Sequence, residues 1–378
     1  MQALQYVAGS QKAVDAYVTP EEMVGKLKSW SERTSTSSMT QIHLGHGKAY
    51  YAMTSLDEDS PEYHQFEKNR QAIIQGHVVI INYCVHFGYS LLRWQTIVNA
   101  LLGKDPGQST PKIHRIRYIH IYEWDFNFYL SVKWRALIHH AMDNNLFNSA
   151  CYGSVSGKSS LDPVFIREME YEIVRMTRFP LVHFDNDATS CYDRFPCFLV
   201  NLASHKNGQA AQACVFQGRS LQQARYHLKT RYGISEEYIS HTFDCPWFGS
   251  GQGAGNSPAY CLVLTSTLYD VYASKAQRPA QYHSPDGNFT ASILQLGFVD
   301  DVNNRTNLPW KRPEDPQAHL CALLEQASQD NQLWHDIIEA ANQQLELPKC
   351  MYHVMHFDFK PSGDLKWLLK HSHHSLSL

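Results

Sequence analysis

Hydrophobic and polar positions follow two periods along the chain. Ile73, Ile74, Val78, Ile81 and Val85, then Leu91, Leu92, Ile97, Leu101 and Leu102, recur in mostly three- and four-residue steps, which predicts helix across 73–102. Helical spacing returns in FNFYLSVKWRALIHHAMDNN, ending near Asn145, and over 164–178, opened by Ser160, Asp162 and Pro163 and closed by Pro180. It recurs over 195–205, over 218–232, and after Ser257-Pro258, where serine is a natural N-cap and proline suits the first helical position. Across 320–341, Leu320, Leu323, Leu324, Ala327, Trp334, Ile337, Ile338 and Ala341 share one face. HRIRYIHIYEW, 179–185, 291–299 and 351–359 read as strands, while 31–40 and 103–112 read as loops, the second a candidate domain boundary. Strands with acidic tips interleaved with helices make an α+β chain.

Composition narrows the class. The 378 residues allow two or three domains, and 43% apolar with 18% charged residues excludes a disordered or fibrous chain. A net charge of −3 gives no whole-surface attraction for nucleic acid, so a polyanion would have to meet a local basic patch. Nine cysteines without a C-x-x-C pair argue against zinc ribbons and thioredoxin chemistry and suit buried thiols in a reducing compartment. The opening segment lacks an apolar signal core, and 77–92 is too short and too polar to span a membrane. A soluble, intracellular protein with no membrane partner is expected, in nucleus or cytoplasm.

Three segments carry candidate chemistry. FDNDATSCYDRF places Asp185, Asp187 and Asp193 at and beyond a strand end, FGSGQGAGNSPAY feeds a glycine loop into a helix, and GFVDDV sets Asp300 and Asp301 between apolar residues. Like charges this close raise each other's pKa, and a divalent cation relieves the repulsion. Mg²⁺ takes oxygen ligands, and a further aspartate from another strand end completes a two-ion site about 3.5–4 Å across. An isolated Asp-Asp pair is equally a solvated turn. The glycine loop also fits a loose dinucleotide fingerprint, but FDCPWF is not the apolar strand that fingerprint needs. Alternatively its backbone approaches a base and sugar, with Gln252 supplying an amide.

In this order the segments resemble motifs A, B and C of reverse transcriptases, particularly the non-LTR (LINE-type) and group II intron branch. Asp187-Ala-Thr-Ser-Cys-Tyr192-Asp193 matches the A motif, Gly249 to Pro258 matches G-x-x-Q-G-x-x-x-S-P, and Phe298-Val-Asp300-Asp301 matches aromatic-x-D-D. The 115–130 segment resembles a basic finger strand, Tyr152–Ser160 a second finger motif, and Leu345–Cys350 the D motif. The resemblance implies a right-hand polymerase. Residues 1–93 would be a helical extension, 94–180 fingers, 181–360 palm, and 361–378 a short tail that leaves a minimal thumb. It implies RNA-directed DNA polymerase activity on a primed RNA or DNA template with dNTPs and two Mg²⁺ or Mn²⁺ ions. Asp187, Asp300 and Asp301 would be catalytic acids and metal ligands, with the Ala188 carbonyl adding a ligand. Asp185 is the rival acid, and Asp187 is preferred because only its register puts an aromatic residue, Tyr192, five positions on. Tyr192 would exclude a ribose 2′-OH, Gln252 and Gly253 would line the base and template, and Arg115, Arg117 and Lys158 would meet phosphates. Lys349 would protonate the departing pyrophosphate. Val155 replaces the finger arginine that relatives aim at the triphosphate. That departure supports the alternative, a decayed retroelement product that keeps the fold and nucleic-acid binding. A nucleotide-cofactor oxidoreductase built on the glycine loop predicts no clustering of Asp187 with Asp300.

Overall fold

Local chemistry at helix ends and the pairing of short strands divide the chain into its elements. The structure, a computed structural model, describes residues 14–30, 39–42, 44–49, 56–104, 107, 112, 115–189, 191–242, 244, 249, 252–276, 279–284, 286–308, 316–359 and 365–367. Residues 31–38 of the loop expected over 31–40, and all of the 361–378 tail but 365–367, lie outside them. In chain order come α1 (Pro20–Ser29), α2 (Leu44–Ala49), α3 (Pro61–Phe87), α4 (Leu92–Gln95), β1 (Thr96–Gly103), β2 (Ile116–Ile121), α5 (Trp124–Asp143), α6 (Leu161–Thr177) and β3 (Leu181–Asp187). There follow α7 (Cys191–Arg194), α8 (Cys197–Lys206), α9 (Ala211–Gln222), β4 (Arg225–Thr230), β5 (Gly233–Ser240) and α10 (Ser257–Lys275). The last are β6 (Ala280–His283), β7 (Thr290–Ile293), β8 (Gln295–Phe298), β9 (Asp301–Asn307), α11 (Pro316–Ala340), β10 (Met351–Met355), β11 (Phe357–Phe359) and β12 (Leu365–Trp367).

The elements form two compact units, each discontinuous in sequence. One takes in Leu4–Asn144 and Phe195–Tyr260, the other Asn145–Arg194 and Cys261–Leu378.

In the first unit a sheet of order β2-β1-β4-β5 pairs β1 antiparallel to β2 and parallel to β4. Thr19 opens α1 with a reciprocal capping box to Glu22, which satisfies two otherwise orphan N–H groups. Trp94, Phe126, Phe216 and Tyr226 stack into one core with Ile74, Val78 and Ile81 of α3. Two expectations change here. The helical run predicted over 73–102 stops at Gly88, whose φ of 59° closes α3 in a left-handed cap, and Thr96–Gly103 becomes β1. The helix expected over 218–232 ends at Gln222, and Arg225–Thr230 is drawn into the sheet between β1 and β5. β-branched Ile97 and Val98 suit a strand flanked on both sides.

In the second unit the sheet order is β10-β3-β9-β8, antiparallel throughout. Val182 and Phe184 face Leu323 and Ala327 of α11, while Leu181 and Met355 meet Val174 of α6 on the opposite face. The strand predicted over 291–299 is two strands: β7 pairs with β6, and β8 joins β9 in the main sheet. The strand predicted over 351–359 likewise divides at His356, with β10 beside β3 and β11 paired to β12.

Candidate active site

The site grows from the register of β3 and β9. Leu181 lies opposite Asn307, His183 opposite Arg305, Asp185 opposite Asn303, and Asp187 opposite Asp301. Side chains alternate along a strand, so these eight share the face that α6 covers. Asp187 and Asp301, distant in sequence, thus become neighbours across one strand pair. Phe298 pairs with Asp301, leaving Val299 and Asp300 as a two-residue hairpin turn. Val299 has φ 61°, which for a β-branched residue is a strained conformation held by its surroundings. Gly153 packs so tightly there that a Cβ would lie 2.7 Å from Val299 Cγ2.

A third segment is delivered to the same edge. α11 stops at Ala340, Asn342 takes φ 60° just beyond it, and Gln343 N–H donates to the Ile338 carbonyl at 2.7 Å. The chain then docks along 187–189: Thr189 N–H donates to the Gln344 carbonyl and Glu346 N–H to the Asp187 carbonyl, each at 2.8 Å. Ala188 bridges Leu345, and Thr189 Oγ1 donates to Glu346 Oε2 at 2.8 Å. This places the Lys349 ammonium 2.6 Å from Asp187 Oδ2.

Electrostatics separates the acids. Burial, then repulsion from Asp187, raises the Asp300 carboxyl. Burial, then Asp300, Asp187 and Asp185, raises that of Asp301. Lys349 offsets part of both shifts, and its own ammonium is held above its ordinary pKa, first by the hydrogen bond to Asp187. Asp185 behaves differently. Burial pushes its carboxyl up, but the His353 ring, the Arg167 guanidinium and the Asn303 amide together bring it below the ordinary value. Arg167 Nη1 lies 3.2 Å away, Asn303 Nδ2 2.5 Å and His353 Nε2 3.3 Å. Beneath them Arg305 Nε donates to Glu170 Oε1 at 2.5 Å, with both side chains buried. Asp185, Asp187 and Asp301, with Lys349, Arg167 and Arg305, line a cleft of about 410 Å³.

The other anticipated residues lie as follows. Tyr192 is half-buried, and burial, then Cys261, Cys191 and Asp300, raise its phenol. Lys158 is spent on the Cys151 carbonyl at 2.7 Å and the Tyr152 ring at 4.4 Å. In the first unit, Gln252 bridges Ile119 and accepts a bond from His120 N–H at 2.7 Å, and Gly253, φ 117°, presses on the His120 carbonyl where any Cβ would collide. Arg115 and Arg117 are exposed at the start of β2. Arg167, Asn303, His353, Arg305 and Glu170 escaped sequence reasoning. For Asn303, Arg305 and His353 the only signal there was polar residues at the inward positions of strands, and for Arg167 and Glu170 charged residues on a helix.

All three clustered acids offer hard oxygen donors and repel one another, which suits a divalent cation. As the side chains stand, no group of three or more His, Cys, Asp or Glu among the described residues is disposed to hold an ion. Lys349 supplies the positive charge at Asp187.

No protein-family model matches the sequence, and no curated protein does. Among solved structures the chain is similar to apo telomerase from Candida tropicalis truncated from its C-terminal domain. The identity is 12% and the TM-score 0.43, over 76% of this chain and 58% of that one. It is also similar to telomerase from the same organism in complex with a TWJ fragment of telomeric RNA, at 12% identity and TM-score 0.44, over 73% of this chain and 45% of that one. The chain spans about half the length of these structures. No helix among the described residues is long and apolar enough to cross a membrane.

Proposed function

We propose that the chain is a nucleotidyltransferase of the reverse-transcriptase kind, extending a primer with dNTPs against an RNA or DNA template. The observation that carries this reading is the strand register that sets Asp187 opposite Asp301 with Asp300 at the adjoining turn. The B-motif spacing from Gly249 to Pro258 favours the non-LTR and group II intron branch, and the β10-β3-β9-β8 sheet would be the palm. Mg²⁺ or Mn²⁺, held by Asp187, Asp300 and Asp301 with the Ala188 carbonyl, would supply charge neutralisation to the triphosphate.

The chain's own residues do the rest. Burial first, and then mutual repulsion, raises the Asp300 and Asp301 carboxyls, and a cation would relieve the repulsion. Lys349 must leave Asp187 for that residue to become a ligand, and its ammonium is then free to donate a proton to the departing pyrophosphate. Asp185, neutralised by Arg167, keeps a second carboxylate out of that competition. Tyr192 would turn its ring to the sugar and select deoxynucleotides, while Gln252, Gly253, Arg115 and Arg117 would meet base, template and phosphates.

A second reading, a polymerase fold that binds nucleic acid without extending it, is favoured by Val155 and by the ammonium seated on Asp187. Primer extension with an RNA template, a DNA primer, dNTPs and Mg²⁺ or Mn²⁺ separates the two. Extension by wild type and none by Asp300→Asn supports the enzyme. Salt-sensitive binding without extension supports the second reading, and neither binding nor extension removes both.

A further inference from the structure

The sheet of the first unit is open at one end of one face. Arg117 of β2 lies opposite Leu102 of β1, Lys229 of β4 lies opposite Ala100, and Ile234 of β5 lies opposite Lys229. Residues paired across strands share a face, as do residues two apart along one strand, so these side chains stand together. Just past the strand ends the Lys104 N–H donates to the Arg115 carbonyl at 2.8 Å, which extends the row by two residues. The opposite face is packed, since Ile97 and Tyr226 belong to the core. Toward the far end of the open face Val98 and Ile121 are buried. At the near end Lys104, Arg115 and Arg117 are exposed, with Leu102 at 52% and Ile234 at 37%.

Charge decides what kind of partner this end takes. Arg115 and Arg117 flank β1 on one side and Lys229 on the other, about 10 Å apart over two strand spacings, with Leu102 between them. The two-residue turn from β4 to β5 adds Arg231 and Tyr232. The Tyr232 ring is 84% exposed and is held in place by Arg231, whose guanidinium lies 4.6 Å from the ring centroid and also donates to the Tyr232 hydroxyl. Among the described residues of these four strands and their turns, the acids are Glu236 and Glu237, both in the stretch of β5 where the register shifts. In a chain of net charge −3 this is a local excess of cations, which suits a polyanion. The aliphatic and aromatic side chains among the cations narrow the class. An unpaired base can lie on a ring while its phosphates meet cations, whereas a duplex keeps its base faces inside and a lipid headgroup has no ring to stack.

We propose that this open end of the sheet binds single-stranded nucleic acid, with phosphates on Lys104, Arg117, Lys229 and Arg231 and a base stacked on Tyr232. The inference goes beyond the proposed reaction, because it involves none of the aspartates and needs no primer extension.

Fluorescence anisotropy of the full chain with a labelled oligo(U) RNA of about 15 nucleotides, without dNTP or divalent cation, tests this. Each phosphate contact removed takes about 0.7 from the slope of log K against log salt for a single strand. Lys104→Gln/Lys229→Gln/Arg231→Gln should flatten the slope by about 2 and weaken binding at about 0.1 M salt at least 10-fold. Lys28→Gln/Lys68→Gln/Arg135→Gln removes the same charge from exposed positions of α1, α3 and α5 and should leave the slope within about 0.5 of wild type. Tyr232→Ala should weaken binding about 10-fold, and Tyr232→Phe by less than about 2-fold. Unchanged far-UV circular dichroism and thermal midpoint would show that each variant folds. The proposal is overturned if wild type does not bind the RNA, if the sheet-end variant keeps the wild-type slope, or if the helix variant loses as much. It is equally overturned if Tyr232→Ala binds as wild type does, if a duplex of the same length binds as tightly, or if phosphatidylserine vesicles displace the RNA from the same cations. Binding with the expected slopes but no primer extension would remove the proposed reaction and leave this inference standing; extension with an unflattened slope would do the reverse.

Discussion

Gly297 is the position where one added methyl group should do most damage to the candidate site. It lies in β8, two residues before the Val299–Asp300 turn, and is pinned on both sides: its carbonyl accepts from Tyr152 N–H and its N–H donates to the Ala150 carbonyl, each at 2.9 Å. A Cβ there would sit 2.5 Å from Tyr269 Cζ and 2.8 Å from Cε2, and closer still to the hydroxyl oxygen. Tyr269 is 1% exposed and backed by Trp334 at 5.7 Å between ring centroids, so it has no room to retreat. Overpacking costs about 1–3 kcal/mol when neighbours can adjust. Here neither strand nor ring can, so Gly297→Ala should cost about 3 kcal/mol, a large share of a typical 5–15 kcal/mol. Urea unfolding followed by circular dichroism measures it. The Tyr269 hydroxyl is buried and meets no hydrogen-bond partner among the described residues. Tyr269→Phe alone should therefore be neutral or gain up to about 1 kcal/mol, and beside Gly297→Ala it should recover at least about 1 kcal/mol more than additivity allows. Gly297→Ala within about 0.5 kcal/mol of wild type would refute the packing argument, as would strict additivity of the two changes.

Three further outcomes follow from the same geometry. Val299→Gly releases the strained φ of 61° and should stabilise by about 1 kcal/mol in urea unfolding, with the hairpin retained. His183 is held well below its ordinary 6.5 by burial, then by Arg305 and Arg167, so below about pH 6.5 the unfolded chain takes up a proton that the folded chain refuses. Its contribution is complete above that pH and is lost as pH falls, at up to about 1.4 kcal/mol per pH unit; His183→Gln should flatten the slope of stability against pH. Lys349→Met removes the cation that lowers the Asp300 and Asp301 carboxyls, so both should titrate at higher pH when followed by carboxyl carbon resonances.

What the sequence reveals here depends on whether the information is local. Ser257-Pro258, Pro180 and the acidic segments announce themselves within a few residues, and the helices over 124–143, 161–177 and 316–340 follow from their periodicity. Thr96–Gly103 and Arg225–Thr230 do not, because a short apolar run turns helical or extended according to the partner beside it, and those partners come from elsewhere in the chain. The polar ladder under α6 is hidden for the same reason: buried His183, Arg305 and Glu170, with half-buried Asp185 and Arg167 beside them, come together only once β3 and β9 are in register. A single-residue slip of β3 would turn Asp187 to the α11 face and take His183 away from Glu170 and Asp185 away from Arg167. Val182 and Phe184 would at the same time leave Leu323 and Ala327 for the charged face. The register that joins the aspartates is therefore enforced by residues with no part in the chemistry, and a motif search sees the acids without seeing what holds them opposite one another.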